Sequence, residues 1–120
     1  MKLPFKVDLS DKVAVVTGGG GVLMSAFGEA LVNSGAKVAF LDINEEAVKK
    51  VVEGLGENAM AVKCNCLDKT DIARAKAEVN AKFGKVNFLI NGAGGNNPKA
   101  TCDNETMTPD LTGVKDFFAL

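Results

Sequence analysis

The chain has 120 residues, a formal net charge of −1 and 47% apolar residues, and it contains no histidine, tyrosine or tryptophan. That length allows one domain at most, with a core that buries roughly two thirds of the unfolded surface. The charge balance removes any electrostatic case for nucleic acid or an anionic membrane, and no apolar run approaches the roughly 20 residues of a membrane span. The first ten residues lack the core of a signal peptide and read as a lead-in to the first strand. Cys64, Cys66 and Cys102 form no secreted disulfide pattern, so reduced thiols and a cytoplasmic location are expected. Cys64-Asn65-Cys66, with no histidine and no second close pair, makes a poor metal site; Cys64 is expected to pack as a small apolar residue at a strand end.

Strand and helix patterns alternate along the chain. Residues 12–17 read as the first strand, ending in Val13-Ala14-Val15-Val16-Thr17. Residues 22–34 read as the first helix, with Leu23, Ala26, Phe27, Ala30 and Leu31 on one face and Gly35 as its stop. Residues 37–42 form the second strand, and Asn44 is a plausible cap for a second helix. The apolar face of that helix is Ala47, Val48, Val51, Val52 and Leu55, and Gly54 and Gly56 end it. Residues 59–64 form the third strand. Asp68-Lys69-Thr70-Asp71 resembles a capping sequence for a third helix that buries Ile72, Ala75, Val79 and Phe83 and stops at Gly84. Residues 87–91 form the fourth strand. Continuous apolar strands alternating with helices imply an α/β doubly wound parallel sheet covered on both faces. Right-handed crossovers favour the strand order 3-2-1-4.

Beyond the fourth strand the pattern breaks. Gly92-Ala93-Gly94-Gly95-Asn96-Asn97-Pro98 is a loop by composition, and Pro109 and Gly113 keep the following stretch irregular. The chain stops within Phe117-Phe118-Ala119-Leu120, and the fourth strand has an unpaired edge in this order. Both features lead us to expect that residues 1–120 are the N-terminal part of a longer fold.

Thr17-Gly18-Gly19-Gly20-Gly21 lies between a strand and a helix, the arrangement that brings backbone N–H groups and the positive end of a helix dipole to a dinucleotide pyrophosphate. Asp42 ends the next strand 24 residues beyond Gly18, close to the roughly 20 expected for an acid that grips a ribose diol. Such an acid repels a 2′-phosphate, so NAD is favoured over NADP. A phosphate-loop nucleotidase needs Gly-Lys-Ser/Thr, whereas Gly21 is followed by Val22-Leu23-Met24. Two other readings stay open on the residues alone: a methyltransferase, which also uses a glycine loop and a strand-two acid, and a tight turn that binds nothing, with Asp42 serving only as an acid near a helix start.

Asn91-Gly92-Ala93-Gly94 makes the pattern specific. Together with the Thr-Gly turn and Asp42, it resembles the short-chain dehydrogenase/reductase family over residues 10–100, and so implies a partial Rossmann fold. By that resemblance Gly18, Gly20, Gly21 and the Leu23 amide contact pyrophosphate, Asp42 holds the adenosine ribose, and Asn91, Ala93 and Gly94 lie beside the cofactor. Asn65 stands where the family usually has an aspartate touching adenine, and an amide can still bond the adenine edge. The glycine spacing departs from the family pattern. Gly18 and Gly21 fit, but Val22 and Met24 stand where later glycines fall, and the last of these normally permits close packing of helix on strand.

Within the family, Thr17 to Leu23 and Asn91 to Thr101 resemble the D-mannonate oxidoreductase (fructuronate reductase) group. The resemblance implies NAD as cofactor, a sugar-acid substrate and a homo-oligomer at full length. The family's proton donor is a tyrosine in Tyr-x-x-x-Lys beyond the fourth strand. This chain has no tyrosine, and Ser10, Ser25 and Ser34 all lie in or before the first helix. The 120 residues alone are therefore expected to hold part of a cofactor and to catalyse nothing. The alternative is a self-sufficient nucleotide-binding or interaction module without catalysis.

Overall fold

The computed structural model describes residue 2 and residues 4–95. Seven elements alternate in the expected order: β1 (Val13–Thr17), α1 (Val22–Asn33), β2 (Lys37–Asp42), α2 (Glu45–Val52), β3 (Ala59–Lys63), α3 (Lys69–Phe83) and β4 (Phe88–Asn91). The four strands form one parallel sheet in the order β3-β2-β1-β4. Val15 pairs with Ala39 on one side and Leu89 on the other, so β1 is an inner strand, as β2 is. Lys12, Cys64 and Asn87, expected as strand residues, flank the strands instead and still bond across: the Lys12 carbonyl accepts from Lys37, Cys64 donates to Asp42, and Asn87 donates to Val13.

Period-two alternation divides the strands between two cores. Val13, Val15, Ala39, Leu41, Met60, Val62 and Cys64 face α3, where Ala75 and Val79 are buried against them. Ala14, Val16, Val38, Phe40 and Ala59 face the other way, with Val48 of α2 and the partly buried Met24, Leu31 and Val32 of α1. Cys64 is only 1% exposed and packs as the small apolar residue its position predicts. Burial pushes its thiol up to about 11, reinforced by neighbouring Cys66 and Asp71, so it stays protonated at neutral pH.

The caps follow the sequence. The Asn44 side chain accepts from the Ala47 N–H, and Asp68 accepts from the N–H groups of Thr70 and Asp71. Each satisfies donors that a helix start leaves unpaired.

Three expectations about burial need correction. The first concerns the face of α1. Leu23 is 69% and Phe27 51% exposed, and the sheet side is formed by Met24, Gly28, Leu31 and Val32. This helix is apolar nearly all round, so periodicity alone does not select its face. Gly28 does: a Cβ there would overlap the ring of Phe40, so only a glycine lets the helix lie this close to β2. The second is Ile72, which is 42% exposed although it shares a helix face with Ala75 and Val79, because it borders the hollow beside α3 that the described residues leave open. The third is β4, which is not covered on both faces by the described residues; Phe88 is 41% and Leu89 60% exposed. The crossovers carry α1 and α2 over one face of β1–β3 and α3 over the other, leaving β4 outside them. An apolar hollow of about 690 Å³ lies beside α3, lined by Val15, Ala75, Val79, Val86 and Leu89.

Gly28→Ala is expected to destabilise the fold by about 1–3 kcal/mol through overpacking. Combining it with Phe40→Leu should cost less than the sum of the single changes, because both act at one contact. Urea denaturation of the three variants measures this coupling.

Candidate functional site

Among the described residues, those expected to contact the cofactor fall at or just beyond the carboxyl ends of the strands, where parallel α/β sheets bind ligands. The turn between β1 and α1 is built from backbone. Gly21 donates to the Gly18 carbonyl at 3.0 Å, and Gly19 donates to the Leu41 carbonyl at 2.9 Å, which ties the turn to β2. Gly18 has φ +69°, a left-handed conformation natural only to glycine, and a Cβ there would stand 2.7 Å from the Gly92 carbonyl oxygen. Conformation and close approach therefore both demand glycine at 18.

Gly21 caps α1 in an extended conformation, with no side-chain cap and no acid in the first turn. The ladder opens with Ser25 donating to the Gly21 carbonyl. The amides of Val22, Leu23 and Met24 thus precede the first ladder bond, and this helix start offers donors and a positive dipole end to an anion. Val22 is 90% exposed at the same edge.

Asp42 does not cap α2; Asn44 does. The Asp42 carboxylate is held facing the glycine turn, with Oδ2 accepting from Gly20 N–H and Oδ1 from Asn44 N–H, both at 3.0 Å. A carboxylate has about four lone-pair sites. One on each oxygen is used, and the remaining pair suits two adjacent hydroxyls. Gly20 is confined as well, since a Cβ there would stand 2.7 Å from Ala47 Cβ.

Asn65 sits after β3 in a local network of its own. Its backbone N–H donates to Asp71 Oδ2 at 2.6 Å, and its side-chain oxygen accepts from Leu67 N–H at 3.0 Å. This turn leaves the amide N–H groups to approach a base edge. Asp71 is in turn held by Arg74, which also donates to the Lys63 carbonyl. The Asn65 N–H and then the Arg74 guanidinium hold the Asp71 carboxyl below its ordinary value.

At the end of β4 the structure adds two residues that the sequence reading missed. Thr17, 9% exposed, accepts at its hydroxyl from the N–H groups of Gly92 and Ala93 at 3.1 and 3.2 Å. A hydroxyl residue ending an otherwise aliphatic strand was the available signal. Gly92 is crowded between the Met24 thioether and the Thr17 carbonyl oxygen, the latter 2.7 Å from a Cβ built there. By contrast, a Cβ at Gly94 meets nothing within 4 Å. Asn91 and Ala93 border the hollow beside α3. The turn thus joins Gly18 to Gly92–Ala93 and Gly20 to Asp42, while Asn65 stands in its separate network. Among the described residues no group of three or more His, Cys, Asp or Glu is placed to hold a metal ion. The asparagine-rich loop from residue 96 to Thr101, and the segment ending at Phe117-Phe118, lie outside the described residues.

The family model for short chain dehydrogenases matches residues 12–112. The chain belongs to the short chain dehydrogenase family. An oxidoreductase of Bacillus subtilis named UxuB is 45% identical over 118 residues, covering 96% of this chain and 42% of that protein. An oxidoreductase of Haemophilus influenzae is 40% identical over 124 residues, covering 100% of this chain and 44% of its own length. A crystal structure of a D-mannonate oxidoreductase assigned in Haemophilus, with bound NAD, superposes with a TM-score of 0.77 at 42% identity, covering 88% of this chain and 39% of that one. The chain therefore spans less than half the length of these relatives. Among the described residues, no helix is long and apolar enough to cross a membrane.

Two outcomes follow from this geometry. Thr17→Val should cost about 1–3 kcal/mol by leaving two backbone N–H groups without their acceptor, whereas Thr17→Ser should stay near the parent in thermal unfolding. Asp71 is depressed in the folded state, so its contribution is present above its unfolded value of 3.8 and is lost as pH falls through the lower folded value. Asp71→Asn should therefore flatten the loss of stability below about pH 4, read from melting temperatures across an acid series.

Proposed function

We propose that this chain is the dinucleotide-binding part of an NAD-dependent short-chain oxidoreductase that interconverts a hydroxyl and a carbonyl on a sugar acid of the D-mannonate type. The observation that carries the reading is the pairing of an uncapped α1 start with the Asp42 carboxylate, joined through Gly20 N–H at 3.0 Å. The residues present fit NAD. Gly18, Gly20 and Gly21, with no side chains, let the pyrophosphate approach the turn, and the Leu23 amide at the start of α1 donates to it; the Gly20 and Gly21 N–H groups brace the turn through Asp42 and Gly18. Asp42 accepts the adenosine ribose diol on its two remaining lone-pair positions and disfavours a 2′-phosphate. Asn65 meets adenine through its amide N–H groups, and Asn91, Ala93 and Gly94 line the cofactor along β4.

NAD supplies the hydride acceptor when bound. The chain's own residues bind and orient it: Thr17 fixes the β4 turn against β1, and the glycine turn keeps Asp42 in place. A proton donor is a separate requirement, and the chain has no tyrosine or histidine to supply one. We therefore assign catalysis, and the contacts that form a homo-oligomer, to sequence beyond these 120 residues. The sugar-acid assignment draws on residues 17–23 and 91–101 and on the Haemophilus structure with NAD.

Calorimetric titration tests the reading. NAD is expected to bind more tightly than NADP, and Asp42→Ala should weaken NAD by about tenfold, equivalent to roughly 1.4 kcal/mol. Unchanged NAD affinity in Asp42→Ala removes the ribose assignment, and binding of S-adenosylmethionine in place of NAD favours a methyltransferase.

A further inference from the structure

The dinucleotide fingerprint normally ends in a glycine that lets helix and strand pack closely. Met24 stands at that place, in the first turn of α1, and the structure shows how the chain accommodates it. The tight contact with the sheet moves one turn along the helix, to Gly28, whose missing side chain admits the Phe40 ring. The Met24 side chain, half-buried, then reaches across to the end of β4. There it packs against Gly92, so closely that a Cβ at Gly92 would overlap both its Sδ and its Cγ. Gly92 is held from the other side by the Thr17 carbonyl oxygen and hydroxyl. The thioether therefore bridges the start of α1 and the β4 turn.

We propose that Met24 is a positioning residue. Its side chain is a spacer that sets the distance between the start of α1 and the Gly92–Ala93 turn, against which Gly18 also packs, and thereby where the Leu23 amide stands relative to the glycine turn. The inference rests on the cofactor reading above. An unbranched thioether suits the task because it fills an irregular gap between two backbone segments without demanding a polar partner. With the spacer removed, α1 is free to pivot about the Gly28–Phe40 contact, and its first-turn amides shift away from the bound anion. Asp42 and Asn65 are anchored separately, through Gly20 and Asn44 and through Leu67 and Asp71, so the adenosine end keeps its geometry.

The two ends separate experimentally by comparing NAD with adenosine, which carries no phosphate. Met24→Gly in the full chain should weaken NAD by about tenfold, the scale expected of an ångström-level misplacement. Adenosine affinity, read by NMR titration, should not change. Met24→Leu, which conserves volume, should hold NAD within about threefold of the parent. If Met24→Gly does not fold, Met24→Ala reads the same split. Equal NAD affinity in the parent and the Gly or Ala variant overturns the proposal, as does a proportional loss of NAD and adenosine. Failure of the parent chain to bind NAD overturns the cofactor reading itself, and the spacer role with it.

Discussion

The hydroxyl of Thr17 holds together the two strands on which the candidate site is built. It lies at the end of the inner strand β1, almost out of water, and accepts from two successive backbone amides of the β4 turn. Buried backbone amides need an acceptor, and here one side-chain hydroxyl serves both. With the turn fixed in this way, the Gly92 carbonyl comes so close to residue 18 that only glycine fits, and glycine at 18 permits the left-handed turn that launches α1. The exposed helix start and the Asp42 carboxylate opposite it both follow from that turn.

The contact between α1 and the sheet follows a similar logic of missing side chains. Gly28 allows the Phe40 ring to lie against the helix, and Gly92 allows Met24 to lie against β4. Interiors pack at near-crystalline density, so a large side chain at one place is matched by an absent one beside it. The departure of this chain from the usual glycine spacing is thus balanced locally, within the same helix–sheet contact, and the strand order and register are those of an ordinary doubly wound sheet.

Local patterns carried much of this fold. Alternating apolar strands, helix caps at Asn44 and Asp68, and a glycine turn followed by a strand-ending acid report preferences expressed within a few residues. They placed six of the seven elements to within a residue or two, ran the second helix on to Leu55 where α2 ends at Val52, and put Asp42 at the end of the second strand. What they did not show depends on atoms distant in sequence. The inward face of α1 was misread because an almost wholly apolar helix has no strong stripe, and Gly28 looks in sequence like a weak helix residue rather than the point of closest packing. Spacing puts Ile72 on the same face as Ala75 and Val79, yet what covers that face at its end is not a local property, and Ile72 borders the open hollow beside α3.

The sequence by itself determined the order and kind of the elements, the parallel sheet, and the residue types at the carboxyl ends of the strands. These properties are set by periodicity, capping and chain chirality, all of which act locally. Only the tertiary structure decided that Thr17 clamps the β4 turn, that Gly92 rather than Gly94 is the crowded glycine, and that Met24 spans the gap between α1 and β4. Each of these pairs residues some 70 positions apart or across the sheet, and close packing between such residues is settled by the shape of the assembled core rather than by any spacing along the chain.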